Sequence, residues 1–390
     1  MKTFVLGVLI LLGAAQPALA GSCDAANTYS FLYANQPAAT LAYGSTYNYT
    51  ATSGSGATRA FSVAIAQNGL TSTSVNSIQL PAIATLITGP DATKLDLVLG
   101  GTFGGRTTSL SGTTNVVSVT FTFAQPIRDF AMTVHDIDFT SDQFRDWAQV
   151  TGSNGATTYN PVITTPWGTG NDGVLPKTTA NSSLTVGATT SPLNLSVAQT
   201  GGTSASNNNS DTGTFYAGFA QPVTSVTFKY GNYPLTSGEK NNGQQGAGVA
   251  GISFCPMPSL TATKSSSPAN GTFGAFNIPG NDVVYSLSVI NSGGSPVDGS
   301  TIILSDLLPA STTFRNSAFD GTTSLPFKLA TSGGTALTAA GLSYSRTGDA
   351  TFTYTPVAGY DPLVDGVMIV PGGQLAANST VTVQFVARVN

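Results

Sequence analysis

The stretch Val117-Ser118-Val119-Thr120-Phe121-Thr122-Phe123 decides the fold. Apolar side chains at 117, 119, 121 and 123 alternate with hydroxyl residues at 118, 120 and 122. A β-strand sends successive side chains to opposite faces, so four large apolar groups fall on one side and the hydroxyls on the other. A helix would scatter the same residues around its circumference. The pattern recurs in Phe130, Met132 and Val134, in Val226, Phe228 and Tyr230, and in Val283, Tyr285, Leu287 and Val289. It is clearest at Val381, Val383, Phe385, Ala387 and Val389. Gly, Asn, Asp and Pro clusters break these runs roughly every ten residues. Strands with one apolar face bury it by stacking two sheets. The expectation is an all-β chain of two β-sandwich domains in tandem, the N-terminal one jelly-roll-like.

The domain boundary falls at Cys255-Pro256-Met257-Pro258. Two prolines so close together make a short, stiff, extended connector. The reading is therefore a sandwich over 21–256 and a second domain over 257–390. Within the first, Phe123-Ala124-Gln125-Pro126-Ile127 is echoed by Phe219-Ala220-Gln221-Pro222-Val223, each followed by an alternating strand. Proline cannot donate to a sheet ladder, so Pro126 and Pro222 each end a strand and the next begins beyond; the echo reads as two corners of one sandwich rather than a duplicated domain. The segments 199–214 and 237–248 are long and polar, the setting in which binding surfaces usually lie.

Residues 1–20 read as a signal peptide. Lys2 supplies the positive start, Phe4 to Ala15 the apolar run, and Ala18-Leu19-Ala20 the small residues before a cleavage site. The run is shorter than the about 20 residues a membrane-spanning helix needs. No later stretch resembles a span, so the expectation is no membrane span after signal peptide cleavage and a secreted or cell-surface protein. A lipid anchor on Cys23 would need Leu three residues earlier, where Ala20 stands. In an exported chain the two cysteines, Cys23 and Cys255, form a disulfide by default. Closing a loop of this size contributes on the order of 5 kcal/mol in the chain-entropy model. The bond also requires the two ends of the first domain to meet, because its Cα atoms lie within about 7 Å of each other.

Composition removes several functions. Charged residues are 8% of the chain, against roughly 25% in an average globular protein. The formal net charge is −4 and the isoelectric point about 4.8, and no basic stripe occurs, so no nucleic acid partner is expected. Hydrophobic residues at 41%, rich in β-branched and aromatic types, suffice for two cores and argue against disorder.

Three stretches of the second domain carry a resemblance. They are Asp282-Val283-Val284-Tyr285-Ser286-Leu287-Ser288-Val289-Ile290-Asn291-Ser292-Gly293, the corner Ser305-Asp306-Leu307-Leu308-Pro309-Ala310 running on to Phe314, and the closing strand within 372–390. Together they make most of 259–390 resemble a prokaryotic family of immunoglobulin-like surface repeats, domain of unknown function eleven. The resemblance implies an immunoglobulin-like sandwich, an envelope or secreted setting, often in long stalks, and no activity. This chain departs from that pattern by carrying a single copy. The stretch 121–150 is similar to sandwich modules found beside such repeats.

The best constellation for chemistry is acidic. Asp136, Asp138, Asp142 and Asp146 fall within one short segment at the end of a strand and in the turn after it. Calcium is the cation they imply, since it takes six to eight oxygens from carboxylates on a bent loop. The competing reading has Asp138 and Asp142 capping turns, with Arg145 paired to a neighbour. The EF-hand pattern is absent, with no Gly or Glu at the required positions. Trp147 and Trp167 are candidate platforms for sugar rings, against burial in a core. His135, the one histidine, reads as a surface or loop-packing residue, because a zinc site needs further strong ligands. Asn291-Ser292-Gly293-Gly294 imitates a protease nucleophile segment but coincides with a hairpin turn and has no histidine nearby in sequence. A glycosidase needs two carboxyls about 5 to 9.5 Å apart across a cleft, and Glu239 is the single glutamate.

The expected function is a non-catalytic secreted or cell-surface protein, an adhesion or binding module on an immunoglobulin-like spacer. Its partner would be an extracellular or envelope component, with glycan the first candidate. The alternative is a structural subunit of a surface fibre or layer, and behind it a glycan hydrolase.

Overall fold

A computed structural model describes residues 25–390 except 108–113, 141–142, 167–173, 178–183, 187–188, 192–198, 203–205, 234–239, 241, 243, 270–273 and 350. The described chain is all-β, its helical content limited to two single-turn 3-10 segments, Tyr33–Asn35 and Ala339–Gly341. No described helix is long and apolar enough to cross a membrane. The chain divides into two compact units, Cys23–Met257 and Pro258–Asn390.

The first unit is organised by the strand Val116–His135. Its first half pairs on one side with Thr58–Asn68 and on the other with Val223–Asn232. Regular pairing is lost between Thr122 and Ile127, around Pro126, whose ring removes a donor. Beyond that point the same strand pairs with Gln244–Pro256 and Phe215–Gly218. One continuous strand thus serves two layers. Ser45–Ser53 and Phe144–Asn154 extend the first layer, and Asp96–Phe103, Tyr29–Leu32 and Val162–Thr164 extend the second.

The period-two reading holds residue by residue. Val117, Val119, Phe121 and Phe123 are buried, as are Phe130, Met132 and Val134 from the second half, all in one core. Rings meet across the layers: Phe121 lies 6.3 Å from Phe130, Phe123 4.8 Å from Phe254, and Phe215 6.3 Å from Phe228. The echoed segments are two corners of this core. Phe123 and Phe219 are both buried and both touch Phe130, and Ile127 stands opposite Val223. The expectation that Pro126 ends a strand needs correction. The strand continues through it, and only the pairing changes.

The two ends of the first unit lie side by side, since Tyr29 stands opposite Phe254 and Thr28 Oγ1 is 3.9 Å from Cys255 Sγ. Cys255 is buried and no described cysteine is free. Cys23 lies outside the described residues.

In the second unit, Ser379–Val389 pairs along one side with Asp282–Asn291 and along the other with Phe327–Thr331 and then Thr312–Asn316. Leu260–Pro268 pairs with Asp282–Asn291 and has no other described neighbour. A separate sheet joins Leu304–Leu307, Val364–Ile369 and Leu342–Arg346. The inward rows Val283, Tyr285, Leu287, Val289 and Val381, Val383, Phe385, Ala387 are buried, and Val389 is half-buried at the end of its strand. Phe314 and Phe327 reach Tyr344 of the other sheet at 5.5 and 6.2 Å.

Candidate functional site

Three of the four aspartates come together at one end of the first unit. Val116–His135 stops at His135, and Asp136 takes φ +67°, a left-handed conformation that turns the chain out of the ladder. Ile137 N–H then donates to Gly213 O at 2.9 Å. Phe139–Thr140 folds back on Phe144–Asn154, which delivers Asp146. Asp136, Asp138 and Asp146 are 9%, 4% and 1% exposed. Asp142 and Trp167 lie outside the described residues.

Protein donors meet these carboxylates. Ser206 donates its hydroxyl to Asp136 Oδ1 at 2.7 Å and its N–H to Asp138 Oδ2 at 2.8 Å. Asp146 accepts from Tyr230 Oη at 2.5 Å, from Gln245 Nε2 at 3.1 Å and from the N–H of Asp138 at 3.1 Å. The two-residue spacing of Asp136 and Asp138 suggested one strand face. They meet instead on a single residue of a facing loop, because Asp136 is no longer in a strand.

Burial dominates their electrostatics. It pushes Asp136 up to about 6, partly offset by the Ser206 hydroxyl. Burial pushes Asp138 up to about 7, helped by the charge of Asp136. Asp146 is pushed well above the carboxylate range, first by burial and then by Asp138. Burial thus raises the proton affinity of all three, and no three described His, Cys, Asp or Glu side chains are grouped so as to hold a metal ion.

His135 belongs to the same end. Its Nδ1 lies 2.7 Å from Asp96 Oδ2, with both side chains buried. The surface part of the reading of His135 is therefore replaced by burial beneath a loop. A Cβ on Gly89 would come within 2.4 Å of the imidazole, and one on Gly248 within 2.5 Å of the Asp96 carboxylate. Only glycines allow these approaches. The adjoining Thr88 N–H donates to Asn208 O at 2.9 Å, and Asn208 Nδ2 returns a bond to Leu86 O at 2.9 Å.

Trp147 is 4% exposed, with its ring 4.7 Å from that of Tyr233 and Arg106 over the latter at 4.1 Å. The reading of Trp147 as a sugar platform is corrected on this ground, since neither ring face is open. Arg145 is fully buried, its N–H donating to Asn232 Oδ1 at 3.1 Å.

In Asn291-Ser292-Gly293-Gly294 the strand Asp282–Asn291 ends and the chain bends; the next strand, Leu304–Leu307, belongs to the other sheet, so the expected hairpin turn is replaced by a crossing between sheets. Asn291 is buried, accepts from the N–H groups of Ser259 and Gly293 at 3.1 and 3.0 Å, and donates to Ser295 O and Ala376 O. Sequence reasoning did not find Ser206, Tyr230, Gln245 or Asp96. The polar run 199–214 did mark the loop containing Ser206. The polar run 237–248 includes Gln245, but the expected loop gives way there to the strand Gln244–Pro256; nothing local singles out Tyr230 or Asp96, whose roles come from register between distant strands.

Buried carboxyls occupied by protein donors hold segments together, whereas acid–base work needs a carboxyl within reach of a substrate. No family model matches the chain, and no curated protein matches it. The function must be read from these residues.

Proposed function

We propose that the chain is an exported, non-catalytic binding protein, with a jelly-roll-like unit Cys23–Met257 that binds and an immunoglobulin-like unit Pro258–Asn390 that displays it. One observation carries the reading. Segments from four distant parts of the first unit are tied together at one end by hydrogen bonds, those of Ser206 to Asp136 and Asp138 part-buried. Leu86 to Gly89 meets Asn208, Asp136 and Asp138 meet Ser206, Ile137 meets Gly213, and Tyr233 and Lys240 donate to Arg145 O and Gln143 O. Loops braced on a rigid scaffold are the usual form of a binding surface. The ligand class that suits an exported, weakly charged module of this kind is an envelope or extracellular component, glycans first.

Export rests on residues 1–20 and on the pairing of Cys23 with Cys255, which the meeting of Tyr29 with Phe254 supports. The immunoglobulin-like assignment rests on the three stretches in 282–390 and on a core closed between two sheets.

The test is a binding screen of the exported chain against glycans and envelope fractions, repeated with Ser206→Pro, which breaks the loop brace. Specific retention that the variant loses supports the reading. A second reading, a subunit of a surface fibre, is favoured by the strand Leu260–Pro268, which has one described neighbour and can template pairing between chains. Concentration-dependent assembly without retention of any fraction would replace the first reading by the second. Hydrolysis of a screened glycan, lost on substituting an aspartate, would replace both.

A further inference from the structure

The second unit buries an ion pair at the open side of its two sheets. Lys264 lies on Leu260–Pro268 and Asp306 on Leu304–Leu307. Each of these strands pairs with a single described neighbour, in different sheets. No described ladder joins them. Lys264 Nζ donates to Asp306 Oδ1 at 2.6 Å, and both side chains are 7% exposed. The ammonium sits 5.0 Å from the centroid of the Tyr285 ring. Asp306 Oδ2 is buried with no hydrogen-bond partner.

That is a poor arrangement for a pair that stays charged. Two ions have lost water, one hydrogen bond and one ring contact offset the loss, and half of the carboxylate has no partner. Burial also pushes the Asp306 carboxyl up, with Lys264 partly opposing it. Moving one proton from Nζ to Oδ1 along the existing contact yields a neutral amine and a neutral acid. These are the forms that condense, and the carbon to be attacked is one bond from the oxygen already in contact. Holding such groups together is worth an effective concentration of roughly 10⁵–10⁸ M in well-oriented cases.

We propose that Lys264 and Asp306 are joined by an intramolecular amide bond. The Nζ lone pair attacks Cγ, an Nζ–Cγ bond forms and one Cγ–O bond breaks. The departing oxygen leaves as water with one proton from the acid and one from the amine. No oxidant, reductant or activated co-reactant enters. The product removes both buried charges and ties the edge strand of one sheet to the edge strand of the other, where backbone pairing does not.

The experiment is intact-mass measurement of the purified full chain, reduced, with its N-terminus determined. The expected mass falls short of the sequence mass by one water. A tryptic map then lacks cleavage after Lys264 and contains a branched peptide joining the Lys264 and Asp306 segments. Lys264→Met and Asp306→Ala each restore the full mass. A folded wild-type protein with the full sequence mass and separate linear peptides overturns the proposal, leaving an ion pair only. So does a water loss that maps to any other site. The decisive reading is on the wild type, so it does not depend on the variants folding.

Discussion

Asp138 and Asp146 clasp each other across a tight reversal: the N–H of Asp138 donates to Asp146 Oδ2 at 3.1 Å, and the N–H of Asp146 donates to Asp138 O at 2.9 Å. The backbone thereby brings two carboxyls together in a dry place, and their proton affinity follows. Burial holds Asp136 at about 6 and Asp138 at about 7, and raises Asp146 well above the ordinary carboxylate value. In the unfolded chain all three titrate near 4. The folded state therefore binds more protons between about pH 4 and 7, and stability falls as pH rises through that window. The first unit should melt at a higher temperature at pH 5 than at pH 8, by several degrees. Asp138→Asn should flatten the difference. Calorimetry showing the wild type equally stable at both pH values would refute this account of the cluster.

Tyr230 is fully buried, and its hydroxyl is one of three donors to Asp146. Tyr230→Phe keeps the ring and removes the donor, leaving a buried acceptor short of a partner. Such a loss costs about 1–3 kcal/mol, and a unit of this size loses roughly 2–4 °C per kcal/mol. Combined with Asp146→Asn, the two losses should sum to less than their separate values, because the residues share one contact. Strict additivity in thermal melts would mean that the hydroxyl acts elsewhere.

Calcium at Asp136, Asp138, Asp142 and Asp146 makes a different demand. The cation needs ionised, open carboxylate oxygens, whereas the described three are buried, raised in proton affinity and engaged by Ser206, Tyr230 and Gln245. The expected outcome is a melt unaffected by EDTA and by added calcium. A melting temperature that EDTA lowers and calcium restores would assign the ion to these aspartates.

How much of this was legible in the sequence depends on whether the signal was local. Alternation placed Val117 to Phe123 and Val381 to Ala387 inward without error, because a strand's faces follow directly from the chain's own geometry. Asp136, Asp138 and Asp146 were also legible as a cluster. What they contact was not. Ser206, Tyr230 and Gln245 reach Asp136, Asp138 or Asp146 from 68 to 99 residues away, and a one-residue change of register would turn each side chain to the other face. In the sequence Trp147 stays open between a sugar platform and burial for the same reason. An aromatic at a strand start suits exposure or burial equally, until Tyr233 is placed beside it.

Gly100 shows how tightly register supports the site. It has φ +140° within Asp96–Phe103, and its neighbour Gly101 has φ +151°. A Cβ at Gly100 would stand 2.2 Å from the carbonyl oxygen of Gln245 and 2.7 Å from Gly246 Cα. Tyr43 Oη accepts the Gly100 N–H and donates to its carbonyl, both at 2.8 Å. Gly100→Ala therefore combines a disfavoured φ with a clash against backbone that cannot swing aside. At Gly56 φ is +83° and nothing lies within 4 Å, so Gly56→Ala isolates the conformational part, about 1–2 kcal/mol. Gly100→Ala should lose clearly more, on the order of 10 °C in melting temperature. Because the displaced strand carries Gln245, it should also weaken the pH dependence set by Asp146. Equal losses at the two glycines would mean that the approach of these strands is looser than the distances imply, and the register argument for the acid cluster would fall with it.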